Sequence, residues 1–390
     1  MGFWLFMVCL AAIEGRILFS SNENVIFIIL GASTVWPLGY FAVSRCKFMP
    51  QATTMQTIAI AVFSAFALFS AAFSPETNKS TAYAVMTILA ICICLQFHTN
   101  LDISGYEKGL GIYSIPTSAF LLWETYVNYT GGGYATGRLT FIDASLNPNA
   151  IALISMSVLL SSMMLRSLLW RWSIFSAALI PLLMTRSRAS AVGAIIGLVI
   201  VFIVRTKAAT GRTKVAVLLL VGLIIICGAI FSQTVTGAGS EFFSLHDRHR
   251  GIDSGATGRI HVWKEVWGLF LDNPIFGVGF RAHEGLLRAG SSSHQGYLAL
   301  LAEVGIFGFM AVMYLVGSGI LTLWGAVKRP DLVYAYSVPF GLALGYLFIG
   351  MFERYMINVG NPTSLLFLLA ITVPTISSTH KLNHLSESER

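Results

Sequence analysis

Residues 291–308 read SSSHQGYLALLAEVGIFG, in which three serines and a histidine are followed by an almost wholly apolar run. A helix that spans a bilayer needs about 20 predominantly apolar residues. The stretch therefore predicts a membrane helix with the titratable side chain of His294 at its start. The whole chain fits this interpretation, since 55% of its 390 residues are hydrophobic and 11% are charged, against about 25% charged in an average soluble domain.

Apolar segments of similar length recur along the chain and are separated by short polar connections. We expect an all-α polytopic membrane protein of about twelve transmembrane helices that forms a single integral membrane domain over residues 1–390. The predicted helix centres lie near Leu10, Ser33, Phe66, Ile88, Thr117, Met156, Ala177, Ile196, Gly222, Phe309, Leu344 and Leu369.

The basic residues predict the orientation of these helices. With a cytoplasmic N-terminus, every predicted cytoplasmic connection carries at least one lysine or arginine, as the positive-inside rule expects, and the C-terminus is also cytoplasmic. The exceptions on the outer side are Arg138, Arg186, Arg188 and Arg354. Short external turns normally avoid arginine, so these four indicate a compensating charge or a functional site.

The connection between predicted helices 9 and 10, residues 233–293, is the one large extramembrane loop, and we expect it to be external and part of the active site. Its segment GRIHVWKEVWGLFLDNP predicts an amphipathic helix that ends at Asn273 and Pro274 and lies flat at the membrane surface. The expected apolar stripe comprises Ile260, Trp263, Val266, Trp267, Phe270 and Leu271.

His294 is the candidate catalytic base. Ser292 or Ser293 could serve as the N-cap, which would place His294 in the first helical turn. There the helix dipole disfavours imidazolium, so a neutral ring could accept a proton. The alternative is an interfacial histidine that only hydrogen-bonds a loop.

The external arginines are candidate phosphate ligands. Guanidinium groups bind phosphate with two parallel hydrogen bonds and keep their charge, so Arg188 and Arg259 could hold a diphosphate. Arg186, Arg138 and Arg354 are further possible substrate ligands. The alternative is that single arginines at helix ends anchor lipid headgroups, and Glu353 with Arg354 could form a structural ion pair.

Other classes of site find little support. The net charge of +7 comes from scattered residues and not from a basic stripe, so we exclude nucleic acid binding. Neither the cysteines nor the segment HDRHR at residues 246–250 has convincing metal-ligand spacing, and we expect no metal and no cofactor. Glu303 falls nearly opposite His294 on the helix, so we expect it to bind a neighbouring helix.

Several spaced motifs together resemble the O-antigen ligase family, which includes O-antigen and exopolysaccharide polymerases. His294 is followed after ten residues by Gly305, Ser187-Arg188 matches the family's arginine motif with Val192 at its apolar position, and Gly258-Arg259 precedes a helix containing Trp263. Val192 stands where the family commonly has leucine, and Gln295 stands where asparagine often follows the histidine. The distinctive match covers residues 184–308.

The resemblance implies a GT-C-like, metal-independent glycosyltransferase in the bacterial inner membrane. Such an enzyme takes a glycan from undecaprenyl diphosphate at the periplasmic face and transfers it to an acceptor glycan. We favour a polymerase over a ligase that uses lipid A core, because no segment stands out as a docking module for the core. Polysaccharide export and chain-length-control proteins are possible partners. The rival classes are a flippase for lipid-linked oligosaccharides and a structural partner in an export complex.

Overall fold

A computed structural model of the chain describes residues 52–100, 103–134, 137–141, 147–208, 257–287, 293–357 and 363–372. These residues form helices joined by short connections. Nine of the twelve predicted helix centres lie inside a helix, and the other three, Leu10, Ser33 and Gly222, lie outside the described residues. The helices are α1 (Thr54–Ala72), α2 (Thr77–Asn100), α3 (Ile103–Thr130), α4 (Pro148–Ser162), α5 (Leu168–Met184), α6 (Arg188–Ala208), α7 (Thr257–Asp272), α8 (His283–Leu286), α9 (Gly296–Val327), α10 (Val333–Ile349) and α11 (Thr363–Ile371).

The long helices have the length and composition of membrane spans. Within the described ranges, four helices are long and apolar enough to cross a bilayer, namely α1, α2, α6 and α9, and α4, α5 and α10 are shorter apolar helices. The protein is therefore a helical membrane protein, and the total of twelve helices remains a prediction.

Local capping signals mark the start of α4 and the end of α7. The Asn147 side chain accepts a hydrogen bond from the Ala150 N–H at 2.9 Å, and Pro148 occupies the first helical position. Proline is favoured there because its missing N–H would have no partner within the helix. At the other boundary, α7 ends at Asp272, directly before Asn273 and Pro274.

Helices α6 and α10 run antiparallel with their backbones in close contact. A Cβ atom on Gly341 would lie 2.6 Å from the Gly197 carbonyl oxygen, and one on Gly345 would lie 2.9 Å from that of Gly193. Each helix thus contributes two glycines four residues apart, a pattern that permits close helix packing in membranes. This register places Arg188, at the start of α6, beside the residues that follow α10.

The two ends of the helix bundle differ in their basic residues. His294 precedes the start of α9, so the end of α9 and the start of α10 lie at the opposite end. Basic residues of the predicted cytoplasmic connections lie at that opposite end, among them Lys108, Arg166, Arg171, Arg205, Lys328 and Arg329. Hydrogen bonds connect the helices at this end; for example, Arg205 donates to the Met163 carbonyl at 3.0 Å and to Ser337 Oγ at 2.8 Å.

Helix α9 is broken at Gly305, where φ is 69° and ψ is −178°. The segment after α7 fills this break. The Val278 N–H donates to the Ala302 carbonyl at 2.9 Å, and the Gly279 N–H donates to the Glu303 carbonyl at 3.2 Å. Backbone groups released by the break are thus satisfied by the loop, as burial in an apolar environment requires. The spacing between His294 and Gly305 therefore corresponds to the length of α9 from its start to its break.

Candidate active site

His294 lies just before α9 and not in its first turn. The helix begins at Gly296 with Gln295 as its N-cap, and the Gln295 side-chain oxygen accepts a hydrogen bond from the Leu298 N–H. The expectation of a serine cap was wrong, because the Gly296 N–H donates to the Gly350 carbonyl at 2.8 Å and so holds this turn against the end of α10. His294 itself adopts a left-handed φ of 46°.

Left-handed backbone is concentrated in the segments around this end of the bundle. Among the described residues, the non-glycine residues with positive φ are Arg186, Arg281 and His294. Such conformations cost on the order of 1–3 kcal/mol each and are found most often where function or tight packing requires them. The placement of His294 is therefore imposed by its surroundings.

The imidazole of His294 is paired with Glu353, a residue that the sequence analysis treated as a partner of Arg354. The distance from His294 Nδ1 to Glu353 Oε2 is 3.0 Å. The Glu353 side chain is 5% exposed, whereas that of His294 is 38% exposed. A buried carboxylate thus binds one nitrogen of a ring that remains accessible to a substrate.

The other oxygen of Glu353 joins a polar network. Asn149 Nδ2 donates to Glu353 Oε1 at 2.6 Å, and Arg138 donates through one guanidinium nitrogen to Asn149 Oδ1 at 3.2 Å. Arg138 Nε also donates to the Thr185 carbonyl at 2.8 Å. The network therefore connects the start of α4, the turn between α5 and α6, and the loop after α10.

Arg259 reaches the same carboxylate from α7. Its guanidinium lies 3.6 Å from Glu353 Oε1 and donates to the Phe352 carbonyl at 3.5 Å, and its side chain is 41% exposed. Both contacts are long, which leaves the group able to turn towards an anion. The structure thus brings together His294 and Arg259, two of the three residues that the sequence analysis ranked first.

The remaining predicted arginines lie in neighbouring positions. Arg188 begins α6 and is partly buried, and helix register sets it near Gly350, the residue after α10. The Arg186 guanidinium lies next to Gly137, and the Leu139 N–H donates to the Met184 carbonyl at 2.9 Å. Arg186 and Arg138 therefore belong to two loops that are packed together.

Arg354 occupies a buried ionic cluster behind His294 and Glu353. It binds Glu303 through one nitrogen, and its other terminal nitrogen lies 3.3 Å from Glu284 Oε1. His283 Nδ1 lies 2.6 Å from Glu303 Oε1, which confirms that Glu303 binds partners away from His294. The predicted pair of Glu353 with Arg354 was wrong, because these adjacent side chains bind different partners. Burial opposes the charge of Arg354, but Glu303 and Glu284 outweigh this and raise the pKa of the guanidinium.

Ser293 links the cluster to the candidate base. His283 Nε2 lies 3.2 Å from Ser293 Oγ, and Trp263 Nε1 donates to the Ser293 carbonyl at 2.8 Å. The residue directly before His294 is thus held by α7 and by α8. Since Arg354 is only 8% exposed and is bound by two carboxylates, its contacts are those of a structural residue.

Only part of the predicted apolar stripe of α7 packs against the protein. Val266 is fully buried and packs with Leu287 and Ala302. Trp263 also turns inwards, whereas Ile260, Trp267 and Leu271 are 43%, 47% and 58% exposed. At 3.6 residues per turn all six side chains lie on one side of the helix, so the inner edge of the predicted stripe packs against the protein and its outer edge is exposed.

The roles of two residues of this site, Glu353 and His283, were not predicted from the sequence. Glu353 and His283 lie 59 and 11 residues from His294 along the chain, and no spacing rule joins them to it. A carboxylate directly after an apolar helix was the available signal, because ionisable groups at membrane depth tend to be paired or functional. As for metals, the described residues contain no group of three His, Cys, Asp or Glu side chains that could hold an ion, and HDRHR lies outside them.

Comparison with known families adds one finding. The family model described as O-antigen ligase matches residues 173–313. This range includes Arg186, Arg188, Arg259 and His294, and it ends within α9, before Glu353 and Arg354. No curated protein matches the chain.

Proposed function

We propose that this protein, whose residues 173–313 match the family model described as O-antigen ligase, is a membrane enzyme of polysaccharide biosynthesis that transfers a glycan from undecaprenyl diphosphate to an acceptor sugar hydroxyl. The single observation that carries this proposal is that the accessible imidazole of His294 and the guanidinium of Arg259 both contact the carboxylate of Glu353. We place this site on the periplasmic face of the bacterial inner membrane, because the other end of the bundle carries the basic residues typical of cytoplasmic connections.

The proposed reaction is a direct displacement at the anomeric carbon of the donor. His294 removes the proton of the acceptor hydroxyl while its oxygen attacks this carbon. The new glycosidic C–O bond forms as the C–O bond to the diphosphate breaks, and the lipid diphosphate leaves with the electron pair. The proton passes from His294 to solvent, which restores the base.

Arg259 and Arg188 are proposed to bind the diphosphate. Negative charge grows on the leaving group during the displacement, and fixed guanidinium groups stabilise it without changing protonation. We propose that these cations supply the positive charge that a metal supplies in other enzymes. Arg186 and Arg138 lie one layer further out and are proposed to hold the surrounding loops or later parts of the glycan.

The acceptor decides between two versions of this function. A polymerase uses a second lipid-linked glycan, and a ligase uses lipid A core. We favour the polymerase on the grounds given above, with the ligase as the alternative. A flippase would need charged sites in both halves of the membrane and broken helices that meet at its centre; the charged residues argued for here lie at one end.

The test uses purified protein in liposomes with lipid-linked repeat units isolated from the source bacterium as donor. His294→Ala should lower transfer by about 10²- to 10⁴-fold, the usual contribution of a general base. A ladder of longer lipid-linked chains without added acceptor means a polymerase, whereas a single transfer only after addition of lipid A core means a ligase.

His261→Ala is the matched control. His261 is also paired with a glutamate, at 3.8 Å from Glu265, but its side chain is 76% exposed on the polar side of α7. This variant should transfer glycan at the wild-type rate. If His294→Ala were folded and equally active, His294 would not be the base and the proposed function would fall.

A further inference from the structure

We propose that Glu353 is a positioning residue, which holds His294 as the Nδ1–H tautomer and so keeps the accepting lone pair on Nε2. The inference rests on the proposed function of His294 as a base. An imidazole has two nitrogens, and the hydrogen bond made by one decides which nitrogen carries the proton. Because an ionised carboxylate only accepts hydrogen bonds, its contact with Nδ1 at 3.0 Å requires the proton there.

The carboxylate is itself held in place, as this role requires. Its Oε1 atom accepts a hydrogen bond from Asn149 at 2.6 Å, and Asn149 is in turn bound by Arg138. Arg259 lies 3.6 Å from the same oxygen and partly compensates its charge. Asn149 from α4 and Arg259 from α7 therefore hold the carboxylate through Oε1, which leaves Oε2 directed at His294.

The backbone on both sides of the pair is fixed as well. The Gly296 N–H donates to the Gly350 carbonyl at 2.8 Å, and a Cβ atom on Gly296 would lie 3.1 Å from the Glu353 carbonyl oxygen. The turn that carries His294 is thus in direct contact with the loop that carries Glu353. A positioned pair needs little reorganisation during the reaction, which is the advantage of an orienting carboxylate.

A purely structural ion pair is the competing explanation, and the burial pattern disfavours it. In the neighbouring cluster, Glu303 and its histidine partner, His283, are both buried, with 1% and 0% of their side chains exposed. In the Glu353 pair the carboxylate is buried but 38% of the His294 side chain is exposed. A substrate can therefore reach the imidazole of His294 directly but not that of His283.

The experiment reads the tautomer directly, and so does not depend on activity. The protein is labelled with ¹⁵N-histidine and reconstituted in lipid nanodiscs, where imidazole nitrogen shifts distinguish the two neutral tautomers from imidazolium. The chain has eight histidines, and the His294 signals are those lost in His294→Gln. We expect the Nδ1–H form in the wild type and a mixture with Nε2–H in Glu353→Gln, because an amide can donate as well as accept.

Glycan transfer gives the second readout. Glu353→Gln should lower kcat by about 10²- to 10⁴-fold with a smaller change in KM, as when an orienting carboxylate is lost from a catalytic triad. Glu353→Asp should recover part of the rate.

Glu265→Gln is the matched control, because it removes the carboxylate of the exposed His261 pair and should leave His294 signals and transfer unchanged. Unchanged His294 nitrogen shifts in a folded Glu353→Gln variant would overturn the proposal. If that variant does not fold, Glu353→Asp decides: it should keep the Nδ1–H form and part of the rate, and loss of transfer to the level of His294→Ala with unchanged shifts would show a structural role only. Transfer by His294→Ala would instead contradict the proposed function and leave the tautomer result standing.

Discussion

The N–H of Ile306 donates to the carbonyl of Pro274 at 2.9 Å, so the loop after α7 is hydrogen-bonded into the break of α9. An unbroken helix would use the Ile306 N–H for a carbonyl one turn earlier. Because the loop supplies that acceptor, the end of α7 is hydrogen-bonded to the middle of α9, and His294 lies between these two helices in the chain. The relation explains why a glycine is needed eleven residues after the histidine.

Replacing Gly305 by alanine should disrupt this joint. Its φ of 69° is unfavourable for alanine, and the added Cβ would overlap the Ile275 carbonyl. We expect a loss of about 2–4 kcal/mol in the free energy of unfolding, from strain and displacement of the loop. Chemical unfolding in detergent micelles measures it. Gly317→Ala on the same helix has open space around the new Cβ and should be neutral or stabilise by about 0.5 kcal/mol; equal stabilities for both variants would contradict the argument.

The buried cluster predicts a second stability effect. Glu303→Gln removes a carboxylate that is 1% exposed and leaves the buried Arg354 and His283 without their main partner. Breaking a buried ion pair in this way costs about 3–5 kcal/mol. The same unfolding measurement applies, and Glu303→Gln should also lower glycan transfer because Ser293 loses the support of His283.

A surface pair provides the control for that experiment. Arg329 and Asp331 form an ion pair at 2.9 Å, with side chains 43% and 53% exposed. Exposed pairs contribute about 0–1 kcal/mol, so Asp331→Asn should change stability little. A Glu303→Gln variant as stable as Asp331→Asn would show that the cluster does not hold the fold together.

The role of Arg259 can be separated from simple charge. Arg259→Gln should lower kcat/KM by about 10²- to 10³-fold, the usual effect of losing one group that stabilises developing negative charge. Arg259→Lys should recover only part of the rate, because lysine lacks the planar fork that binds two phosphate oxygens. Transfer assays with varied donor concentration provide the measurement. Arg166→Gln, at the opposite end of the bundle and with an 80% exposed side chain, should have no effect; full activity of Arg259→Gln would remove Arg259 from the diphosphate site.

The outer face of α7 should lie against lipid. Ile260, Trp267 and Leu271 are exposed and lie seven or four residues apart, so they share one side of the helix. A polarity-sensitive fluorophore on Leu271→Cys, in a chain whose five native cysteines are replaced by serine, should be quenched by brominated lipids. The same label on His261→Cys, on the polar side, should be quenched much less. Equal quenching at both positions would contradict a helix that lies flat on the membrane.

The sequence alone determined those features that depend on near neighbours. Apolar runs of about 20 residues predict the spans, and Asn147 with Pro148 and Asn273 with Pro274 mark helix ends because capping involves residues only a few positions apart. His294 and Arg259 could be selected as candidates because a titratable or charged group beside a long apolar segment is costly to retain.

The tertiary structure decided every relation that depends on how helices pack. Glu353 lies 59 residues from His294, and the packing of α10 against α9, with the hydrogen bond between Gly296 and Gly350, brings the loop after α10 to the start of α9. Glu353 and Arg354 are adjacent in the chain, yet one binds the accessible imidazole and the other the buried Glu303. Local pattern cannot assign such partners, because the free energy of a buried charge depends on which groups the fold places beside it.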